Sequence, residues 1–228
     1  MINIQNLSFS FSDHKVLDDI SIDFPQNQIH GIVGLNGAGK TTFFNVLSTT
    51  LKAQTGSLKF NENSITNSDI AYLETVNYFY SRITGNEYLK IFKQTNPDFN
   101  LISLQEFLIL PLDNLIETYS TGMKKKLALL GVLKQNKQIF LLDEPFNGLD
   151  LETNKILELI ITTLKEKGKT VFVSSHIINP LLTVCNQIHY LENGKFTKTF
   201  EKENFHHIED ELFKKLKAEA KIIISQSI

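Results

Sequence analysis

The sequence predicts a single domain of the α/β class, built on a mostly parallel β-sheet. From residue 138 onward, apolar strand patterns alternate with helical ones: "QIFLLD", a helical stretch over about 152–167, "TVFVSS" and a further short helix. Such alternation is typical of parallel sheets. With 228 residues, 42% of them hydrophobic, the chain can form a proper core and is too apolar to be disordered.

The N-terminal part predicts an antiparallel β portion. "INIQNLSFSF" and "ISIDF" alternate apolar and polar residues, and "IHGIVG" has the apolar run of a buried strand. The next segment, "KTTFFNVLSTTL", places Phe44, Leu47 and Leu51 on one stripe and therefore predicts a helix.

Three further segments complete the predicted fold. A helix-rich stretch over about 86–134 predicts a helical lobe inserted between two halves of the α/β core. In "QIHYLENGKFTKTF", two strands flank Asn193–Gly194, which is a strong hairpin signal. Apolar residues near helical spacing predict a C-terminal helical extension over about 201–228. We expect this helix to pack onto its own domain, and a docking or dimerising helix is the alternative.

Charge, cysteine content and hydropathy limit the kinds of partner. A formal net charge of -2 argues against nucleic acid, because phosphate backbones select a clustered excess of positive charge. The one cysteine, Cys185, cannot form an internal disulfide, which favours a reducing compartment. The most apolar runs, at 127–133 and 139–142, are far shorter than the ~18–20 residues that span a bilayer. We therefore expect a cytoplasmic protein that meets a membrane only through a partner.

The segment "GLNGAGKTT" at 34–42 matches the pattern G-x-x-x-x-G-K-[ST]. It follows an apolar strand and opens a helix, which is the context that the pattern requires. Its glycines let backbone amides point at phosphate oxygens, and the helix N-terminus adds partial positive charge. We expect Lys40 to reach the β- and γ-phosphates of ATP, Thr41 to bind Mg²⁺ and Thr42 to contact the α-phosphate. The predicted ATP-binding loop comprises Gly34, Leu35, Asn36, Gly37, Ala38, Gly39, Lys40, Thr41 and Thr42.

A second motif, "QIFLLDEP" at 138–145, ends a buried strand with two carboxylates. Ligands of such sheets bind beyond the carboxyl ends of the strands, so Asp143 should meet the phosphate loop there. Asp143 suits the Mg²⁺ shell, and Glu144 suits a general base that activates water for attack on the γ-phosphate.

A second glycine-bearing helix start, "YSTGMKKKLALL" at 119–130, lies shortly before this motif. Taken alone, it is an ordinary helix capped by Ser120 or Thr121, with its lysines toward water and its leucines toward a core. Arg82 is the only arginine in the chain, whereas many NTPases stabilise the transition state with an arginine finger. Another group must therefore donate hydrogen bonds to the γ-phosphate.

The phosphate loop, "YSTGM", "LLDEPFNGLD" and "VFVSSH" occur in this order, and together they resemble the ATP-binding subunit of ATP-binding-cassette (ABC) transporters. The resemblance covers nearly the whole chain and implies an ATP hydrolase with a P-loop NTPase (RecA-like) core. In that family two subunits sandwich two ATP molecules head to tail. The resemblance implies that Ser120 and the Gly122 amide donate to ATP held by the neighbouring subunit. The signature motif that would act in trans is Ser120, Thr121, Gly122 and Met123.

The resemblance gives roles to three more residues. His176 matches the switch histidine that contacts the γ-phosphate and the attacking water, and so joins Lys40 and Glu144 as a catalytic residue. Asp150 in "GLD" matches the D-loop aspartate that links the two half-sites. Phe11 matches the aromatic residue that stacks on adenine, and packing into the core is the alternative.

Two motifs depart from the family pattern. The Q-loop glutamine is missing, and an ungapped count places Thr75 at its position with Glu74 adjacent, so that either residue is a candidate Mg²⁺ ligand. In the signature motif, Thr121 replaces a glycine and Met123 replaces a glutamine, as in signature variants of exporter-type subunits. The aromatic segment "YFY" at 78–80 either packs in the core or offers a docking surface for a partner.

The sequence thus predicts the ATP-binding and ATP-hydrolysing subunit of an ABC transporter of the exporter type. The implied cofactors are ATP and Mg²⁺. The implied partners are a second ATPase subunit, in a homodimer or heterodimer, and a polytopic permease that holds the protein at the inner face of the cell membrane. The alternative is a soluble ABC ATPase that is not coupled to transport, such as an iron–sulfur cluster assembly ATPase.

Overall fold

The computed structural model describes residues 1–95 and 99–212. The strands are β1 (Ile2–Phe11), β2 (His14–Phe24), β3 (Ile29–Val33), β4 (Thr55–Phe60), β5 (Asn63–Ser64), β6 (Ile70–Leu73), β7 (Ile139–Leu142), β8 (Thr170–Ser175), β9 (Gln187–Glu192) and β10 (Lys195–Glu201). The α-helices are α1 (Lys40–Leu47), α2 (Gly85–Ile91), α3 (Leu101–Leu108), α4 (Thr121–Lys134), α5 (Leu151–Glu166) and α6 (Asn179–Val184). Short 3-10 helices span Ile116–Thr118 and Lys202–His207.

The strands form two sheets. The antiparallel sheet has the order β2-β1-β4-β5, and the central sheet has the order β10-β9-β3-β8-β7-β6. In the central sheet every neighbouring pair is parallel except β9 and β10, which form the predicted hairpin. Asn193 and Gly194 both have positive φ at its turn, as a type I′ turn requires. The α/β class with an antiparallel N-terminal portion is confirmed.

Helices cover the two faces of the central sheet. Phe172 of β8 and Leu141 of β7 pack in one cluster with Phe43 and Phe44 of α1 and with apolar residues of β1 and β2. Helix α1 therefore lies between the two sheets. Residues with the opposite side-chain direction, such as Val173, pack with α4, α5 and α6 on the other face. Strands β3, β7 and β8 are buried along their whole length, as parallel strands covered on both faces are.

Between β6 and β7 the chain forms α2, α3, a 3-10 helix and α4, in the range predicted as a helical lobe. These helices share a separate apolar cluster that includes Tyr88, Leu112 and Leu130. Helix α4 also contacts the central sheet, because Ala128 and Val132 on its other side belong to the main core. One helix thus connects the lobe to the sheet.

The predicted C-terminal extension is described only in its first part. The 3-10 helix at Lys202–His207 is followed by helical residues 208–212, and Ile208 packs in the main core. The remaining residues of the predicted extension, 213–228, lie outside the described part of the chain. Within the described residues, the helices are too short or too polar to cross a membrane.

Helix α1 is shorter than the sequence predicts. It ends at Leu47, and Leu51 is packed against the core from the following loop. The residues after Leu47 compete for backbone hydrogen bonds, since the Ser48 hydroxyl donates to the Asn45 carbonyl at 3.1 Å. Thr49 then adopts a left-handed conformation with φ 63°, which stops the helix.

Candidate active site

The sheet order brings three motif-bearing loops together. Strand β8 lies between β3 and β7, and all three run in the same direction. The loop of residues 34–42 follows β3, Asp143 and Glu144 follow β7, and His176 follows β8. The carboxyl ends of these strands therefore place the predicted phosphate-binding and catalytic residues at one edge of the sheet.

The loop after β3 has the backbone of an anion site. Gly37 and Gly39 adopt φ 84° and 106°, a conformation that favours glycine, and Gly39 immediately precedes α1. The first N–H groups of α1 have no partner within the helix and can bind an anion. Lys40 is only 7% exposed, and its Nζ donates to the Gly34 carbonyl at 2.8 Å. The same Nζ lies 3.6 Å from Oε1 of Glu144.

The carboxylate of Asp143 is fully buried and accepts hydrogen bonds from three hydroxyl groups. Its Oδ2 accepts from Thr41 Oγ1 and from Thr75 Oγ1, each at 2.7 Å, and its Oδ1 accepts from Ser174. Mg²⁺ usually binds one or two protein carboxylates, with water and phosphate oxygens as its other ligands. The carboxylate of Asp143 and the hydroxyl oxygens of Thr41 and Thr75 form a set of this kind. Glu74 is exposed and does not line the cleft, so of the two Q-loop candidates Thr75 is the one at Asp143.

The carboxylate of Glu144 is held between polar side chains. Its Oε2 lies 3.0 Å from Nδ1 of His176 and accepts from Nδ2 of Asn147 at 3.2 Å. Its backbone is in the left-handed region with φ 48°, which costs about 1–2 kcal/mol for a residue with a side chain. Glu144 is 8% exposed, and its carboxylate beside Lys40 and His176 can act as a proton acceptor for water that enters the cleft.

These groups border a cleft of about 500 Å³. Its lining residues are His14, Val16, Asn36, Gly37, Gly39, Lys40, Thr41, Thr42, Thr75, Glu144, Asn147 and His176. Sequence reasoning missed His14, Val16 and Asn147. Asn147 could have been predicted from the sequence, because it follows Asp143–Glu144 closely and its side-chain amide can orient a carboxylate. His14 and Val16 could not, because only the folding of the antiparallel sheet brings them to the cleft.

Phe11, the predicted adenine contact, lies on β1 and does not line the cleft. Its side chain is 52% exposed, and its ring meets Phe9 edge-on with centroids 4.8 Å apart. Phe11 is therefore not packed in the core, in contrast to Phe9, which is 7% exposed.

The signature residues form a separate surface. Ser120 caps α4, and its Oγ accepts from the backbone N–H of Met123 at 3.2 Å. Ser120 and Thr121 are exposed, Gly122 and Met123 are half-buried, and none of the four lines the cleft of its own chain. Around Gly122 there is open space, since a methyl group on its Cα would meet only Ser120 Oγ, at 4.0 Å.

Two other residues lie away from the cleft lining. Asp150 is exposed and caps α5, where it accepts from the backbone N–H of Thr153 at 2.7 Å. Hydrogen bonds from the backbone and hydroxyl of Thr153 hold the pKa of Asp150 below its usual value. Arg82 is exposed ahead of α2, and its side chain does not line the cleft either. Arg82, the only arginine in the sequence, is thus not placed to donate to a ligand in this cleft.

Comparison with known proteins gives matches along most of the chain. A family model described as ABC transporter matches residues 17–147. The ABC transporter ATP-binding protein YtrB of Bacillus subtilis is 28% identical over 88% of this chain and 72% of its own length. The uncharacterized ABC transporter ATP-binding protein MJ1023 of Methanocaldococcus jannaschii is 31% identical over 85% of this chain and 75% of its own length. The lipopolysaccharide export system ATP-binding protein LptB of Haemophilus influenzae is 29% identical over 87% of this chain and 90% of its own length.

Solved structures share the fold. An ATP-binding subunit of an ABC transporter matches with a TM-score of 0.81 at 21% identity, covering 95% of this chain and 93% of that chain. The dimeric ATP-binding cassette MJ0796, in a post-hydrolysis state bound to ADP and Pi, matches with a TM-score of 0.77 at 21% identity, covering 89% of this chain and 99% of that chain.

Proposed function

This chain belongs to the ABC transporter family as an ATP-binding and ATP-hydrolysing subunit, and from that premise we propose that two such subunits close on ATP to power an exporter. The observation that supports pairing most directly is the position of the signature residues. Ser120 and Gly122 lie at the start of α4, outside the cleft of their own chain. A helix N-terminus with an open glycine attracts phosphate, so it fits a nucleotide on a second subunit.

In this proposal the residues of the cleft have distinct roles. Lys40 and the amides of residues 34–42 bind the β- and γ-phosphates, and Glu144 accepts a proton from the attacking water. His176, hydrogen-bonded to Glu144, orients that carboxylate and contacts the γ-phosphate. Thr41, Asp143 and Thr75 hold Mg²⁺, which neutralises phosphate charge when it is bound. Phe11 stacks on adenine, and Asp150 links the half-sites from the start of α5.

ATP drives closure because it binds the closed pair more tightly than the open subunits. The contacts from Ser120 and the Gly122 amide of the opposite subunit exist only in the pair, and a ligand shifts an equilibrium only through such differential contacts. Hydrolysis removes the γ-phosphate and with it this preference. The related cassette MJ0796 is dimeric with ADP and Pi, which supports a paired state for a cassette of this fold.

The exporter direction is supported by the signature variant and by one relative. Thr121 and Met123 replace the usual glycine and glutamine, and the name of LptB identifies it as part of an export system. Exposed Tyr78 and Tyr80, at 83% and 72%, offer an aromatic surface next to the helical lobe for a permease. We place the protein at the inner face of the cell membrane, attached to that permease.

A pull-down tests whether the protein belongs to a transporter. We expect the native protein, captured from detergent-solubilised membranes, to retain a polytopic membrane protein, which mass spectrometry identifies. A mock capture without the bait controls for non-specific detergent-extracted proteins. Recovery of soluble partners alone would favour the alternative of an ABC ATPase that is not coupled to transport.

A substitution at Gly122 tests the pairing. Gly122→Ala introduces a methyl group that the chain itself accommodates, and alanine in a helix is favoured over glycine by up to about 1 kcal/mol. We expect unchanged or slightly raised thermal stability and normal ATP binding, but loss of the ATP-dependent dimer and about tenfold slower hydrolysis or more, because the methyl group displaces the neighbour's phosphate. Dimer formation at the wild-type ATP concentration would contradict the role in trans.

A further inference from the structure

Lys125 lies one turn after the start of α4 and contacts the loop that contains Glu144. Its Nζ donates to the Glu144 carbonyl at 2.8 Å and to the Asn147 carbonyl at 2.7 Å. These two carbonyls belong to the first and last residues of a turn, which the Asn147 N–H closes by donating to the Glu144 carbonyl at 3.3 Å. A single ammonium group thus joins helix α4 to both ends of this turn.

The turn needs such support because Glu144 has a strained backbone, with φ 48°. On one side of the residue, its N–H donates to Ser174 Oγ at 2.8 Å. On the other side, its carbonyl accepts from Lys125. The backbone of Glu144 is therefore fixed at both peptide groups, and this sets the direction in which its carboxylate leaves the main chain.

Lys125 acts through the backbone and not on a ligand. It is absent from the lining of the cleft, and it lines a separate, small and mostly apolar pocket together with residues such as Leu129 and Leu149. Burial lowers the pKa of Lys125 to about 8, although the carboxylates of Glu144 and Asp143 oppose the shift. The ammonium group of this half-buried lysine is thus used by two main-chain carbonyls, which fits a positional role.

We infer that Lys125 is a positioning residue for hydrolysis, which holds the Glu144–Asn147 turn so that the Glu144 carboxylate faces the cleft. The inference rests on the proposed role of Glu144 as general base. It also makes α4 a shared element, because the helix that presents Ser120 to a neighbouring subunit supports the base of its own subunit.

The test compares three variants of the full chain in steady-state Mg²⁺-ATP hydrolysis. Lys125→Met keeps the aliphatic length and removes the donors, so we expect kcat to fall about 10- to 100-fold while KM for ATP stays within about twofold. Lys125→Arg keeps charge and donors, and we expect it to recover most of kcat. The matched control is Lys134→Met. Lys134 lies at the end of the same helix, and its Nζ also donates to a main-chain carbonyl, that of Leu89, at 2.8 Å. Leu89 does not belong to the Glu144–Asn147 turn, so this variant removes a comparable hydrogen bond away from the proposed base.

Each other outcome overturns the inference. A wild-type kcat in Lys125→Met would show that the Glu144–Asn147 turn keeps its conformation without the hydrogen bonds from Lys125. If kcat falls equally in Lys125→Met and Lys134→Met, or if Lys125→Met does not fold, the role of Lys125 is purely structural. If Glu144→Gln hydrolyses ATP at the wild-type rate, the proposed function itself fails, and that result is separate from the behaviour of Lys125.

Discussion

Glu144→Gln is expected to abolish ATP hydrolysis while trapping an ATP-dependent dimer. Glutamine has the size of glutamate and can still accept the hydrogen bond from Asn147, so the turn and the nucleotide cleft remain. It cannot take a proton from water at neutral pH, and loss of a general base slows a reaction by about 100-fold or more. ATP then stays intact, and the contacts that close the pair persist. Size-exclusion chromatography with and without ATP measures the shift to the dimer, and phosphate release measures hydrolysis.

A matched control is Glu166→Gln at the exposed end of α5, which removes the same charge outside the cleft. This variant should hydrolyse ATP normally and show no trapped dimer. If Glu144→Gln stays monomeric at saturating ATP, the sandwich of two subunits is wrong for this protein. If it hydrolyses ATP like the wild type, another group is the base.

Lys40→Ala should remove most nucleotide binding without unfolding the chain. In the proposed site the Lys40 ammonium donates charge-assisted hydrogen bonds to phosphate. The loss of one such bond, worth about 1.5–3 kcal/mol, makes the affinity about 10- to 100-fold weaker. Its present bonds to the Gly34 and Leu35 carbonyls border the open cleft, so truncation leaves no cavity in the core. Isothermal titration calorimetry with ATP measures the affinity, and thermal unfolding checks the fold.

The control for this variant is Lys52→Ala, an exposed lysine between α1 and β4. It lowers the net charge by the same amount and should leave ATP affinity unchanged. An unaltered affinity in Lys40→Ala would refute the phosphate-loop assignment. A large drop in Tm would instead mean that the apo contacts of Lys40 support the fold.

Short motifs with a local cause were predictable from the sequence. Glycines beside Lys40 are needed for the backbone of an anion loop, and the paired carboxylates after an apolar run place Asp143 and Glu144 at a strand end. The hairpin at Asn193–Gly194 is equally local, since its turn type depends on those two residues. The α/β class followed from the alternation of these local patterns along the chain.

Features that depend on distant packing were not predictable. The pairing of β8 between β3 and β7 joins segments that are separate in sequence. The resemblance implied a catalytic role for His176, but its contact with Glu144 was not predicted. Counting residues left both Glu74 and Thr75 as Q-loop candidates, and only the folded chain brings the Thr75 hydroxyl to Asp143. Strands β4, β5 and β6 were also missed: β4 begins with Thr55–Gly56 and does not alternate clearly, β5 has only two residues, and β6 runs directly into the polar Glu74 and Thr75.

The role of Lys125 could not be predicted from the sequence. It is one of three consecutive lysines on a helix whose lysines were expected to face water. Only its contacts across the fold, to the turn at Glu144, distinguish it from Lys124 and Lys126.

The geometry of α4 has a mechanical consequence. In the proposed pair, α4 would contact the neighbouring subunit's nucleotide at Ser120 and, one turn later at Lys125, the turn that carries Glu144 of its own subunit. A rigid helix that shifts at one of these contacts would also shift at the other. The two ATP sites of the pair would therefore not work independently.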